Sequence, residues 1–230
     1  MMDIIEKALK EGRKTLSEYE SKLVLKNYNI PVAKEVLVKK KDELPKAIAQ
    51  IGYPLVIKGC APEITHKTEK ELIITDIRTE QEAYSAFDKV YEKIKDSSEG
   101  GVLVQEMVDG KRELMVGMVR DEQFGVAVMF GLGGIFTEIL KDVSFRVAPL
   151  TKTDALYMLK EIRANKILDS IRGMPAVNVD KLAEIIVNVG RLGLENEQIK
   201  EMDINPIIIS KGDPIAVDAL IVLKNDFLSS

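Results

Sequence analysis

The 230-residue chain has little of several things on which whole classes of protein function are built. It contains one cysteine, Cys60, so an intrachain disulfide framework is excluded, and one histidine, His66. One of each cannot make a site of sulfur or imidazole ligands, so any metal here must be a hard ion held by oxygen. There is no basic block. The chain has 33 Lys and Arg against 37 Asp and Glu, a formal net charge of −4. That lacks the electrostatic footprint that nucleic acid or an anionic membrane would require, so neither partner is expected. No stretch approaches the about 20 apolar residues of a membrane span. The opening "MMDIIEKALKEGRKTL" is charged throughout, and a cytoplasmic protein is expected. Internal repeats, low-complexity tracts and flexible linkers are missing too. What is there is 46% hydrophobic and 30% charged, sufficient for the core of one generous domain or two small lobes.

Apolar periodicity and turn chemistry divide the chain in two. Ser17 and Glu20 form an S-x-x-E capping box, which predicts a helix from Ser17 that stops before Ile30-Pro31. The strand "AKEVLV" follows. Asp42 is placed to cap a helix in "ELPKAIAQI", with Gly52 just past its end. "PLVIK" and "LIITDI" read as strands, and Thr79 with Glu82 caps a helix whose Ala83, Phe87, Val90 and Ile94 recur at helical spacing. Residues 20–100 therefore read as an α/β lobe. Beyond Gly100-Gly101, strands come in succession: "VLVQEMV", "ELMVGMVR", "FGVAVMF", "IFTEIL" and "VSFRVAPL", with a turn at Asp121-Glu122. Helices are expected near 153–164 and 179–192. "IKEMDINPIIIS", a turn at "KGDP" and "IAVDALIVL" then make a closing hairpin. This lobe reads as α+β, and the double glycine as the hinge of a cleft suited to a ligand.

Several residues are candidates for chemistry. Lys58 ends an apolar strand, where its ammonium is either a point charge for a phosphate or a lysine merely solvated at a strand end. Gln105 and Glu106 point to opposite faces of their strand, so only one of them looks inward. With Glu113 at the start of the next strand, they could bind ribose hydroxyls or an adenine amino group, or simply decorate exposed strand faces. "FGLGGIF" sets Gly131, Gly133 and Gly134 between strands, as a tight turn or as backbone brought close to an anion. It lacks the Gly-Lys-Ser/Thr of a P-loop. Asp203 and Asn205 share a strand face, and Asp218 lies thirteen residues beyond Asn205 on the partner strand of a short hairpin, so the three can meet. Their oxygens suit Mg²⁺. A turn at Asn205-Pro206 and a strand-end cap at Asp218 are the alternatives.

Taken in order, "SEYESKLVLKNYNIPV", "GYPLVIKGCAPEITHKTE", "VLVQEMV", "KRELMVG", "MFGLGGIFTEILKDVSFRVAPL", "EMDINPIII" and "VDAL" resemble the ATP-grasp subunit of ADP-forming acetyl-CoA synthetases, which are related to succinyl-CoA synthetase. The resemblance covers nearly the whole chain. It implies a two-lobed ATP-grasp fold of α/β and α+β parts with nucleotide bound between the lobes. Residues 20–104 would be the N-terminal lobe with the phosphohistidine loop, and 1–19 with 105–230 the C-terminal lobe with the Mg-nucleotide site. It also implies the β subunit of an acid–thiol ligase that makes ATP from ADP, phosphate and an acyl-CoA. A separate CoA-binding α subunit would complete it, as an α2β2 heterotetramer. His66 would relay the phosphoryl group. Lys58 would hold nucleotide phosphates, Gln105 and the hinge backbone at Glu106 and Val108 would meet adenine, and Glu113 the ribose. Gly133, Gly134 and Arg146 would lie against the nucleotide, and Asn205 and Asp218 would hold Mg²⁺. Asp203 is a candidate to orient His66. One departure stands out: the family continues "HK[ST]" into a Gly-Gly-Val segment, whereas this chain runs "HKTEKELII". The ATP-grasp portion of a different acyl-CoA synthetase, or a nucleotide-sensing module without catalysis, are the competing readings.

A histidine in this loop makes chemical sense for the relay. Imidazole, with a reference pKa of about 6.5, is largely uncharged near neutrality and attacks phosphorus without a separate base. His66 lies six residues after Cys60 and five before Glu71. Anchored there, it reaches at most roughly 18 Å from the nearer point.

Overall fold

The computed structural model describes residues 4–64, 72–97, 99–134 and 142–224. The expected strand "IFTEIL" and the His66 loop lie outside the described residues. Two compact units are present: one of 15–20 and 33–107, the other of 1–14, 21–32 and 108–230. These differ from the boundaries expected from sequence, and the reason lies in long-range bonds of the N-terminal segment. Helices α1 (Ile4–Lys10) and α2 (Glu18–Asn27) open the chain. The Thr15 hydroxyl donates to Pro62 O at 2.5 Å, and Glu18 pairs with Lys58, which ties 15–20 to the α/β unit. Residues 21–32 are held to the other unit. Val32 makes a parallel bridge to Ala216, and the Tyr28 hydroxyl donates to Glu195 Oε2 at 2.9 Å.

The α/β unit is built on β1 (Glu35–Val38), α3 (Leu44–Ile51), β2 (Leu55–Cys60), β3 (Ile73–Ile77), α4 (Glu80–Ile94) and β4 (Gly101–Glu106). Its antiparallel sheet runs β1-β4-β2-β3. Helix α4 starts as its sequence predicts: Glu82 N donates to Thr79 Oγ1 at 3.2 Å while Thr79 N donates to Glu82 Oε2 at 3.2 Å. Ala83, Phe87, Val90 and Ile94 then pack into one core with Leu55, Ile57, Val102 and Val104 of the sheet. Asp42 does not cap α3. A 3-10 turn, Lys41–Glu43, intervenes, and it is Glu43 that accepts from Lys39 N and Lys40 N, at 2.9 and 3.2 Å.

The larger unit carries β5 (Glu113–Asp121), β6 (Gly125–Leu132), β7 (Val143–Val147), α5 (Lys152–Glu161), α6 (Val179–Glu195), β8 (Ile199–Ser210), β9 (Asp213–Ala216) and β10 (Leu220–Leu223). Its sheet runs β10-β8-β5-β6-β7, with β9 also paired to β8. Helices α5 and α6 cover one face. A Cβ on Gly193 of α6 would stand 2.8 Å from Met118 Cε, so the missing side chain is what lets helix and sheet approach. Helix α5 ends at Glu161, earlier than its apolar pattern predicts, and a 3-10 turn, Asn165–Leu168, follows. "IAVDALIVL" is two strands rather than one. The first part pairs with the end of β8 and the second with its beginning, so Val217–Ala219 falls between them.

Candidate functional site

In the α/β unit, β2 is buried along its length, and its one charged residue, Lys58, is only 4% exposed. The solvated strand-end lysine of the sequence reading is therefore corrected. Its ammonium donates to Glu18 Oε1 at 2.8 Å and to Gln105 Oε1 at 3.2 Å. Burying an ammonium costs several kcal/mol unless a counter-charge and hydrogen bonds meet it, and Glu18 supplies that charge. Glu18 stands in the first turn of α2, whose start is closed by the Ser17–Glu20 box: Ser17 N donates to Glu20 Oε2 at 2.9 Å and Glu20 N to Ser17 Oγ at 3.3 Å. Strand alternation sorts the neighbouring pair as expected. Gln105 turns onto the Lys58 face, and the Glu106 carboxylate accepts from Lys34 N at 2.8 Å. The backbone of this stretch is engaged as well, Glu106 N on Lys34 O at 2.9 Å and Met107 N on Pro54 O at 3.1 Å. Val108 begins the next segment of the larger unit.

In the larger unit, ladder register decides what meets what. Asp203 lies opposite Gly117, Gly117 opposite Met129, and Met129 opposite Phe145. This row faces away from α5 and α6. It lines a groove of ≈ 380 Å³ together with Met115 and Asn205. The Asp203 carboxyl is pushed up to about 6, first because it is crowded by this apolar wall and then by the charge of Asp218, while a hydrogen bond from Asn205 pulls it down. By accessible surface Asp203 is nonetheless an exposed residue, so solvent screens part of this effect. Asn205 Oδ1 accepts from Gly134 N at 3.0 Å. Gly134 has φ +61°, a conformation that favours glycine, and a Cβ there would stand 2.0 Å from Glu113 Oε2, so Glu113 lies against it and any side chain would push that carboxylate aside. Gly133 N donates to Glu113 O at 2.8 Å. Asp218, in the break between β9 and β10, accepts from Ala219 N at 2.8 Å. Register and turn thus gather Glu113, Gly133, Gly134, Asp203, Asn205 and Asp218. Among the described residues no group of three or more His, Cys, Asp or Glu gathers at metal distance. The oxygen donors in this group are the carboxylates of Glu113, Asp203 and Asp218 and the amide of Asn205.

Arg146 is not in this group. Its ladder partner is Val128, on the face that α6 covers, and its guanidinium pairs with Glu161 of α5 and donates to Phe145 O at 2.7 Å. Arg146, and then Ser144, hold the Glu161 carboxyl below the usual range.

A family model for the ATP-grasp domain matches residues 7–223. The β subunit of acetate–CoA ligase [ADP-forming] I from Pyrococcus furiosus is 48% identical over 225 residues, 96% of this chain and 97% of that one. The chain belongs to the ATP-grasp family of ADP-forming acetate–CoA ligase β subunits. The fold of this ATP-grasp chain matches a solved chain of Ca. Korarchaeum cryptofilum dinucleotide forming acetyl-coenzyme A synthetase 1, in complex with coenzyme A, Ca-AMPCP and HgCl⁺. The TM-score is 0.92 at 41% identity, covering 96% of this chain and 99% of that one. A second structure of that protein, with coenzyme A and Mg-AMPPCP and its phosphohistidine segment pointing towards the nucleotide site, matches with TM-score 0.85 at 40% identity, with coverage of 96% and 99%. No helix among the described residues of this ATP-grasp chain is long and apolar enough to cross a membrane. Sequence reasoning missed Glu18. An acid in a first helical turn looks like ordinary helix-start chemistry, and only burial against Lys58 sets it apart.

Proposed function

We propose that the chain is the nucleotide-binding β subunit of an ADP-forming acetyl-CoA synthetase, which makes ATP from acyl-CoA, ADP and phosphate and runs in reverse. The observation that carries this reading is the 48% identity to such a subunit over nearly the full length of both chains. The structural match to a nucleotide-bound relative supports it. A CoA-binding partner subunit completes the enzyme, in an α2β2 assembly.

Each side chain has a role within this reading. Lys58 meets the nucleotide phosphates as a compact point charge. Gln105, Glu106 and Val108 meet the base and Glu113 the ribose, while Gly133 and Gly134 keep the backbone close to the nucleotide. Asn205 and Asp218 fit Mg²⁺: both offer hard oxygen, and Mg²⁺ completes its shell with waters and nucleotide phosphates. When bound, the ion neutralises phosphate charge during transfer. The Gly134 and Ala219 amides hold those two side chains in place. Arg146 has no nucleotide contact in this reading, since Glu161 already engages it on the helix-covered face.

His66 is the carrier. A ring nitrogen attacks phosphorus on the group delivered by the partner, whose bond to phosphorus breaks as the N–P bond forms. A β-phosphate oxygen of ADP then displaces the imidazole, and the N–P bond breaks. Asp203 orients the ring at the nucleotide. The test is reconstitution: the chain and its CoA-binding partner together should form ATP from acetyl-CoA, ADP and phosphate. The chain alone, or the pair with His66→Ala, should form none. Full activity of the chain alone, or normal turnover by the His66→Ala pair, would sink the relay.

A further inference from the structure

Glu18 is a buried carboxylate that the reaction described above does not use. Its side chain is 1% exposed, and it lies forty residues from Lys58 in sequence, yet Oε1 is 2.8 Å from the Lys58 ammonium. We propose that Glu18 is a positioning residue for nucleotide phosphate binding: it holds the Lys58 ammonium charged, extended and aimed before the nucleotide arrives. The inference rests on the reading that Lys58 binds nucleotide phosphates.

The geometry supports positioning over simple neutralisation. A lysine side chain loses considerable rotamer freedom when it is fixed, and a site that fixes it beforehand avoids that loss on binding. Here the ammonium is fixed from two directions, by Glu18 on α2 and by Gln105 on β4. The carboxylate is itself held. It sits in the first turn of α2, where the helix dipole favours negative charge, and that turn is closed by the Ser17–Glu20 box. The same short segment is moored at its other end, where the Thr15 hydroxyl donates to Pro62 O at 2.5 Å, two residues beyond β2. Residues 15–20 therefore hold the end of β2 at two points, Lys58 itself and Pro62 just beyond the strand, with Pro62 at the near edge of the His66 loop. A tie needed only to dock α2 could have been apolar, and a well-packed apolar contact is often as stable as a buried ion pair.

A double-mutant cycle decides between positioning and mere docking. Mg·ADP binding by the full chain is measured by equilibrium dialysis for wild type, Glu18→Gln, Lys58→Ala and the double variant, with thermal unfolding of each recorded alongside. Glu18→Gln keeps the shape and an acceptor oxygen but removes the charge. It should weaken Mg·ADP binding roughly tenfold, the upper end of what immobilising one long side chain costs. In the Lys58→Ala background the same change should have no further effect, because the two residues act through one contact. Glu18→Asp should recover part of the loss. Equal or tighter binding by Glu18→Gln overturns the inference, tighter binding being the result if the carboxylate chiefly repels phosphate. So does a loss of affinity that persists undiminished in the Lys58→Ala background, which is the mark of a docking tie. If Lys58→Ala binds Mg·ADP as wild type does, or wild type does not bind it at all, the nucleotide reading of this site fails and the inference fails with it.

Discussion

At the scale of single residues, the candidate metal site makes the sharpest predictions. Asn205→Ala and Asp218→Ala should each weaken nucleotide binding in the presence of Mg²⁺ and leave it little changed in EDTA, since water replaces a lost hard ligand only in part. Asp218→Lys should be worse than Asp218→Asn, because an ammonium beside the cation repels it. Calorimetry with ADP, with and without magnesium, measures all four, and identical affinities throughout would refute the assignment. Gly134 gives a different kind of test. At its φ of +61° a β-branched side chain is strained and would meet the Glu113 carboxylate, so Gly134→Val should displace Glu113 and lower nucleotide affinity by about tenfold, a loss visible in the same titrations. The glycine run was legible as a turn in the sequence. Which carboxylate it would press against was not, because Gly134 and Glu113 meet only through pairing of β5 and β6.

Elements depend on their ends. Arg120, on β5, donates through Nε to Ile199 O at 3.0 Å and through Nη2 to Gly193 O at 2.5 Å and Asn196 O at 3.0 Å, so it closes the C-terminus of α6 and the turn into β8. Arg120→Ala should destabilise by about 1–3 kcal/mol, the cost of leaving part-buried carbonyls without donors. Hydrogen exchange should quicken over 190–199 before it does elsewhere. At the start of α4 the loss is smaller: Thr79→Ala should cost about 1 kcal/mol, the usual worth of an N-cap, read from the urea midpoint. These two cases differ in how visible they were. Thr79 and Glu82 are three residues apart, and the box they form is written locally. Arg120 and its acceptors are more than seventy residues apart. Asp42 shows the local signal failing, since a 3-10 turn precedes α3 and it is Glu43 that closes that turn, accepting from Lys39 N and Lys40 N.

For the molecule as a whole, the two units have separate cores. Phe87 is 1% exposed in the core of the α/β unit. Phe87→Ala should cost about 3–5 kcal/mol, with faster hydrogen exchange in β2, β4 and α4 and protection in β5, β6 and β8 largely kept; equal loss in both sets would show that the units unfold as one. By itself the sequence determined the elements whose signals are short-range: the capped helices, the alternating strands and the ordered motifs that resemble a nucleotide-using ligase; its one cysteine and one histidine also excluded a site of sulfur or imidazole ligands. Tertiary structure alone decided which units the N-terminal segments join, that Lys58 is buried against Glu18, that Arg146 turns to the helix-covered face, and that Asp218 falls in a break between strands. The physical reason is the same in each case. Propensity and capping act over a few residues, whereas burial, sheet register and ion pairing depend on partners tens of residues away, and those partners become neighbours only when the chain has folded.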